Sequence, residues 1–154
     1  MNETVMINAY IVISIIIAAT DILLAVKSFE KNKTTGRFLG FACMGAAIVD
    51  ISYLISIISD SYMCMAIMSS IYFISIDFML VSLLIFTVYF TKGKFSGYGK
   101  WMVAFCFLYC IYELIVFAVN PFMEIAIEYK PRDTLIAKYS YHMKPLYDLH
   151  LIFS

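Results

Sequence analysis

Along most of this chain apolar residues do not alternate with polar ones; they run on. Val5 to Val26 reads VMINAYIVISIIIAATDILLAV, Phe38 to Ile58 and Trp101 to Val119 read alike, and a longer run extends from about Cys64 to Thr91. At 1.5 Å per helical residue, each of these covers the roughly 30 Å hydrocarbon core of a bilayer. The pattern predicts four full membrane-spanning helices (5–26, 38–58, 64–91, 101–119) and the start of a fifth at Leu146. No positive residue precedes the first run and no small-residue cleavage site follows it, which argues against a removed signal peptide.

The fifth run is nine residues long at Ser154. Nine helical residues rise about 13 Å, less than halfway across. Backbone groups left unpaired in hydrocarbon cost several kcal/mol each. The sequence is therefore expected to be the N-terminal part of a longer protein, truncated within helix five.

Between helices four and five the periodicity changes. In the segment 120–145, EIAIEY (124–129) and LIAKYSY (135–141) alternate, and KPRD (130–133) puts a proline where a turn is wanted. This predicts a short outer β-hairpin. Glu124 and Glu128 are also four apart, so an interfacial helix is the competing expectation. The expected fold class is thus an all-α integral membrane bundle carrying a small hairpin.

Composition agrees. The 154 residues are 63% hydrophobic and 14% charged, with a mean hydropathy of +0.88. A soluble domain is nearer half apolar and a quarter charged. The formal net charge is zero, so nothing points to nucleic acid; the lipid bilayer is the expected partner. The placement of charge is more informative. Loop 27–37 holds Lys27, Lys31, Lys33 and Arg37 against Glu30, and loop 92–100 holds Lys92, Lys94 and Lys100, each a net +3. Loop 59–63 has only Asp60, and the N-terminus only Glu3. Basic loops alternating with acidic ones place the N-terminus outside the cell membrane.

Each predicted full span carries one acid: Asp21, Asp50, Asp77 and Glu113. An ionised group near the bilayer centre costs a few kcal/mol, so such acids face a bundle interior and take partners. No lysine or arginine lies within the spans. The acids are either neutral and hydrogen-bonded to neighbours such as Tyr53, Ser75 or Tyr112, or they line a cavity for a ligand, cation or proton. Asp50, Asp77 and Glu113 share a similar depth, whereas Asp21 reads as a boundary residue.

Other features read as packing or as interface. Gly36 and Gly40, and then Ala42 and Ala46, are small residues at spacing four that suit close helix approach. Cys43, Cys64, Cys106 and Cys110 form no CxxC pair and suit apolar filling. Tyr89, Phe90, Tyr98, Trp101, Tyr139, Tyr141 and Tyr147 cluster at helix ends, as interfacial belts do. Met63, Met65 and Met68 suit ordinary packing at the outer end of helix three. GKFSGYGK (93–100) has Tyr98 where a phosphate loop needs its second glycine, so it is a basic inner loop near anionic headgroups. His142 and His150 have no HxxxH or cysteine companion, so no metal site is expected of them, only polar contacts on the outer face. No cofactor motif and no nucleophile–His–acid pattern is present.

The order of these parts resembles the N-terminal seven-helix membrane region that precedes bacterial sensor histidine kinases and diguanylate cyclases. The long third helix ends FTVYFTKG (86–93), the fourth VNPF (119–122), and KPLYDLHLIF (144–153) opens the fifth. The family closes helix three with F-x-x-x-Y; counted from Phe86 the tyrosine position is Phe90, with Tyr89 one residue early. Its Asn-Pro at the end of helix four is matched by Asn120 and Pro121, its following histidine is Met123 here, and its Tyr-x-x-His is matched by Tyr147 and His150. The resemblance implies a multi-pass sensor region, itself without catalysis, that binds a small ligand in its outer half. It implies a relay to a cytoplasmic kinase or cyclase domain in a full-length homodimer. Asp50, Asp77, Glu113, Asn120 and His150 are the expected ligand-binding residues. A transporter or channel whose intramembrane acids couple to cations is the alternative, although no proline breaks any of the four predicted spans.

Overall fold

The computed structural model describes residues 3–31, 33–131 and 139–153. Among them the chain forms α1 (Glu3–Glu30), α2 (Thr34–Ile58), α3 (Tyr62–Lys92), α4 (Gly97–Met123), β1 (Ile127–Pro131), β2 (Tyr139–Met143) and α5 (Pro145–Phe153). α1 to α4 are all long and apolar enough to cross a membrane, as a multi-pass membrane protein requires. They exceed the expected spans at most ends, because helix continues past the apolar run into the polar flanks. Hydroxyls within the apolar helices are satisfied locally. Ser52 and Ser70 donate to the carbonyls four residues back, at 2.6 and 3.0 Å, and Thr87 does the same at 2.8 Å. A hydroxyl returned to its own backbone asks nothing of lipid.

α2 packs on both α1 and α3, and α3 also packs on α4. The Gly36 and Gly40 face of α2 makes the first of these contacts. A Cβ on Gly36 would lie 2.6 Å from the Ser28 carbonyl oxygen, and one on Gly40 2.7 Å from the Phe29 ring. That face is therefore used within the chain, to seat α1. Ile13, Ile15 and Ile16 of α1 and Phe105, Phe107 and Leu108 of α4 turn outward and are exposed, the placement expected of side chains meeting acyl chains.

The densest core lies at one end of the bundle. There Met65 and Ala66 of α3, Val116 and Phe117 of α4, Ala126, Ile127 and Tyr129 near the hairpin, and Tyr147 of α5 form one buried cluster. The hairpin is antiparallel, with Ile127 opposite Met143, Tyr129 opposite Tyr141 and Pro131 opposite Tyr139.

Three local expectations are corrected. α4 does not end at Asn120-Pro121 but continues to Met123, where Glu124 in the left-handed conformation (φ 49°) closes it and donates its N–H to the Asn120 carbonyl at 2.8 Å. A proline near a helix C-terminus forfeits only one backbone bond. The first strand begins at Ile127 rather than 124, because residues 124–126 turn the chain out of α4. KPRD is strand rather than turn in its first half, since Lys130 and Pro131 still pair in the ladder. Its Arg132 and Asp133, and the expected strand residues 135–138, lie outside the described residues.

Candidate functional site

α5 reaches the bundle through one face. Pro145 opens it, and the Tyr147 N–H donates to the Lys144 carbonyl at 2.8 Å. Tyr147 and His150, three residues apart, therefore share a side and turn into the bundle together. His150 is 4% exposed. Its ring meets Phe73 of α3 and Phe117 of α4 edge-on, with centroids 5.4 and 5.5 Å away, and Tyr147 at 5.3 Å.

Two of the intramembrane acids close on that ring. Nδ1 of His150 lies 3.0 Å from Oε2 of Glu113 on α4 and 4.0 Å from Oδ2 of Asp77 on α3. Glu113 is 1% and Asp77 4% exposed. The other Glu113 oxygen, Oε1, accepts the Tyr109 hydroxyl at 2.6 Å from one turn earlier on α4. Tyr109 also approaches the His150 carbonyl at 3.5 Å, tying α4 to the α5 backbone. Oδ2 of Asp77 and the Tyr112 hydroxyl are buried and have no hydrogen-bond partner among the described residues.

The cluster borders a cavity of about 210 Å³ between α3 and α4, walled by Asp77, Val81, Leu84, Cys106, Tyr109 and Cys110. From Asp77 to Leu84 it runs roughly 10 Å along α3, away from the hairpin. A second cavity, of about 200 Å³, lies beneath the hairpin on the other side of the His150 contacts. Its walls include Tyr53, Tyr72, Tyr141 and Tyr147, with Phe73 and Ser69. The Ser69 and Tyr141 hydroxyls are 3.1 Å apart there. Phe73 and Tyr147 wall this cavity and also touch the His150 ring.

Asn120 has a different task. It is fully buried, and its Oδ1 accepts the backbone N–H of Ala126 at 2.8 Å and of Ile127 at 2.9 Å. Its Nδ2 donates to the Ile127 carbonyl at 3.2 Å and to the Tyr129 hydroxyl at 3.3 Å. Burial pushes the Tyr129 phenol well above its ordinary range, so this hydroxyl stays protonated. All of the Asn120 amide is thus engaged in holding the hairpin against α4. Lys144 adds a tie from the far strand, donating its Nζ to the Glu124 carbonyl at 2.6 Å, and the Tyr62 hydroxyl donates to the Glu124 carboxylate.

Of the five expected ligand-binding residues, the structure brings Asp77, Glu113 and His150 together. Asn120 stands apart as the hairpin anchor. Asp50 is half-buried and lines a groove with Ser14, Ala18 and Ile22 of α1. The expectation of outer-face polar contacts fails for His150, which is buried against α3 and α4; His142 is exposed and lies opposite Glu128 in the ladder. His150 faces inward because the α5 face that carries it is the one that packs. Tyr109, rather than the expected Tyr112, is the hydroxyl on Glu113; its four-residue spacing from Glu113 was the available signal.

Chemically, the cluster sets two carboxylates and one imidazole in apolar surroundings. Two carboxylates beside one imidazole leave at least one acid that must hold a proton or meet a cation. Like charges left unbalanced there would cost several kcal/mol. Compared with models of known protein families, with curated proteins and with solved structures, the chain matches none.

Proposed function

We propose that the chain is the membrane-embedded signal-input region of a bacterial sensor, of the kind that controls a histidine kinase or diguanylate cyclase domain in a homodimer. The N-terminus and hairpin face outward across the cell membrane, consistent with the basic loops at the opposite end. A small ligand enters the tyrosine-walled cavity under the hairpin, and α5 carries its effect inward.

One observation carries this reading. α5 is attached at Tyr147 and His150, and these two residues connect the cavity beneath the hairpin to the buried acids of α3 and α4. Whatever alters either side of His150 changes the seat of α5. A ligand moves the helix only by favouring one seat over another.

The test is a distance measurement. Spin labels at exposed Val12 of α1 and Leu149 of α5 report the position of α5 in the reconstituted chain. Glu113→Gln is expected to shift or broaden the distance distribution by breaking the His150 junction. An unchanged distribution in a folded variant would sink the reading.

The Asp77 oxygen that accepts no hydrogen bond from the described residues, on a residue walling a cavity, also favours a second reading, a cation-coupled transporter. Proteoliposomes separate the two. A proton or cation flux abolished by Asp77→Asn is transport; no flux alongside a mobile α5 is sensing.

A further inference from the structure

Asp77, Glu113 and His150 come from three helices, yet one ligand-type atom from each lies within 4.8 Å of the others. A tetrahedral dication with bonds of about 2.0–2.2 Å holds its ligand atoms roughly 3.3–3.6 Å apart. The 3.0 and 4.0 Å separations from His150 Nδ1 to Glu113 and Asp77 bracket that spacing. The two carboxylate oxygens lie within 4.8 Å of each other, so closing by at most about 1.5 Å completes the geometry.

Two further facts point to a cation. Oδ2 of Asp77 is buried without a hydrogen-bond donor and belongs to a residue that walls the cavity. An unsatisfied buried acceptor is costly, and a positive ion satisfies it directly. Charge balance also selects the ion: two carboxylates with a neutral imidazole neutralise a dication, leaving no net charge in apolar surroundings.

We propose that Asp77, Glu113 and His150 bind one first-row divalent transition metal ion, for which zinc is the reference. Oδ2, Oε2 and Nδ1 are the protein ligands. Three protein ligands leave a fourth position for water or for a donor in the cavity. The imidazole selects against calcium and magnesium, which take oxygen. Tyr109 is a positioning residue: its hydroxyl holds the Glu113 oxygen that does not face His150. The inference deepens the sensor reading by naming the ligand class of the α5 junction, and it rests on that reading only for its regulatory meaning.

The experiment titrates the untagged, metal-stripped chain in detergent with zinc against a chelating dye, followed by X-ray absorption of the loaded protein. One zinc per chain in a shell of nitrogen and oxygen is expected. Tyr109→Phe, which removes a hydroxyl outside the ligand set that bonds to Glu113 and approaches the His150 carbonyl, is expected to weaken binding about 10–100-fold. Asp77→Asn and His150→Gln weaken it further, and His142→Ala leaves it unchanged. Circular dichroism checks the fold of each variant; where a ligand variant does not fold, Tyr109→Phe decides. Absence of stoichiometric zinc, binding that survives both Tyr109→Phe and Asp77→Asn, loss with His142→Ala, or sulfur in the metal shell would overturn the proposal. A chain that binds no zinc while Glu113→Gln still moves α5 loses the metal and keeps the sensor reading. A chain that binds zinc with α5 unmoved does the reverse.

Discussion

Replacing Asn120 with alanine tests whether one side chain holds the hairpin to the bundle. The variant removes the acceptor of two backbone N–H groups, those of Ala126 and Ile127, which are 0% and 1% exposed. Each buried donor left unpaired costs about 1–3 kcal/mol, so the pair costs about 2–6 kcal/mol. The Ile127 carbonyl and the Tyr129 hydroxyl lose one partner each, which adds little because both are acceptors with other options. The cost falls on the segment leaving α4 and on the cluster it shares with the start of α3, which includes no residue of α1 or α2. The readout is amide hydrogen exchange of the chain in detergent. At the lower bound of about 2 kcal/mol, exchange at residues 126 and 127 accelerates roughly 30-fold, at one factor of ten per 1.4 kcal/mol. Exchange in the middle of α2 stays unchanged. Protection at 126 and 127 retained within about threefold in a folded variant, under 0.7 kcal/mol by the same conversion, would refute the anchor.

Two other substitutions read separate parts of the fold. Glu124 sits in the left-handed region, at an energetic cost of about 1–2 kcal/mol for a residue with a side chain. Glu124→Gly relieves that while losing the Tyr62 contact, so its thermal midpoint should stay near that of the parent; Glu124→Ala loses the contact without the relief and should melt lower. Equal midpoints for glycine and alanine would count against the argument. At Gly40, leucine forces its Cβ into the Phe29 ring and should destabilise by about 1–3 kcal/mol, with α1 amides exchanging faster while the hairpin keeps its protection. An unaltered melt would mean that α1 does not depend on that seat.

The spans, the hairpin and the acids were legible in the sequence because a bilayer restricts what an apolar run can do. A helix must pair every backbone group internally, so run length alone reveals it, and an acid within such a run stands out. The grouping of those acids was less legible. Asp50, Asp77 and Glu113 share a similar depth in the sequence, but depth says nothing of rotation about the helix axis. Asp50 points toward α1, whereas Asp77 and Glu113 point toward α5. His150 was legible as a ligand-type residue but not as the partner of the acids. Nine residues of α5 show no strong periodicity on their own, and the inward face is chosen by where the hairpin delivers Pro145.

Asn120 and Asp77 show why a buried polar residue cannot be assigned a role from the cost of burying it. Both are polar groups carried by apolar helices, and for both the environment demands compensation. Asn120 obtains it entirely from backbone and Tyr129, so its burial is accounted for by structure, and removing it should loosen a hairpin rather than abolish a ligand. Glu113 is intermediate: each oxygen has a partner, but one of those partners is a histidine on another element. Asp77 keeps one oxygen without a donor at the wall of a cavity. The uncompensated remainder, rather than the burial itself, is what singles out a binding group. On that measure the site centres on Asp77, with Glu113 and His150 as the groups able to share its ligand.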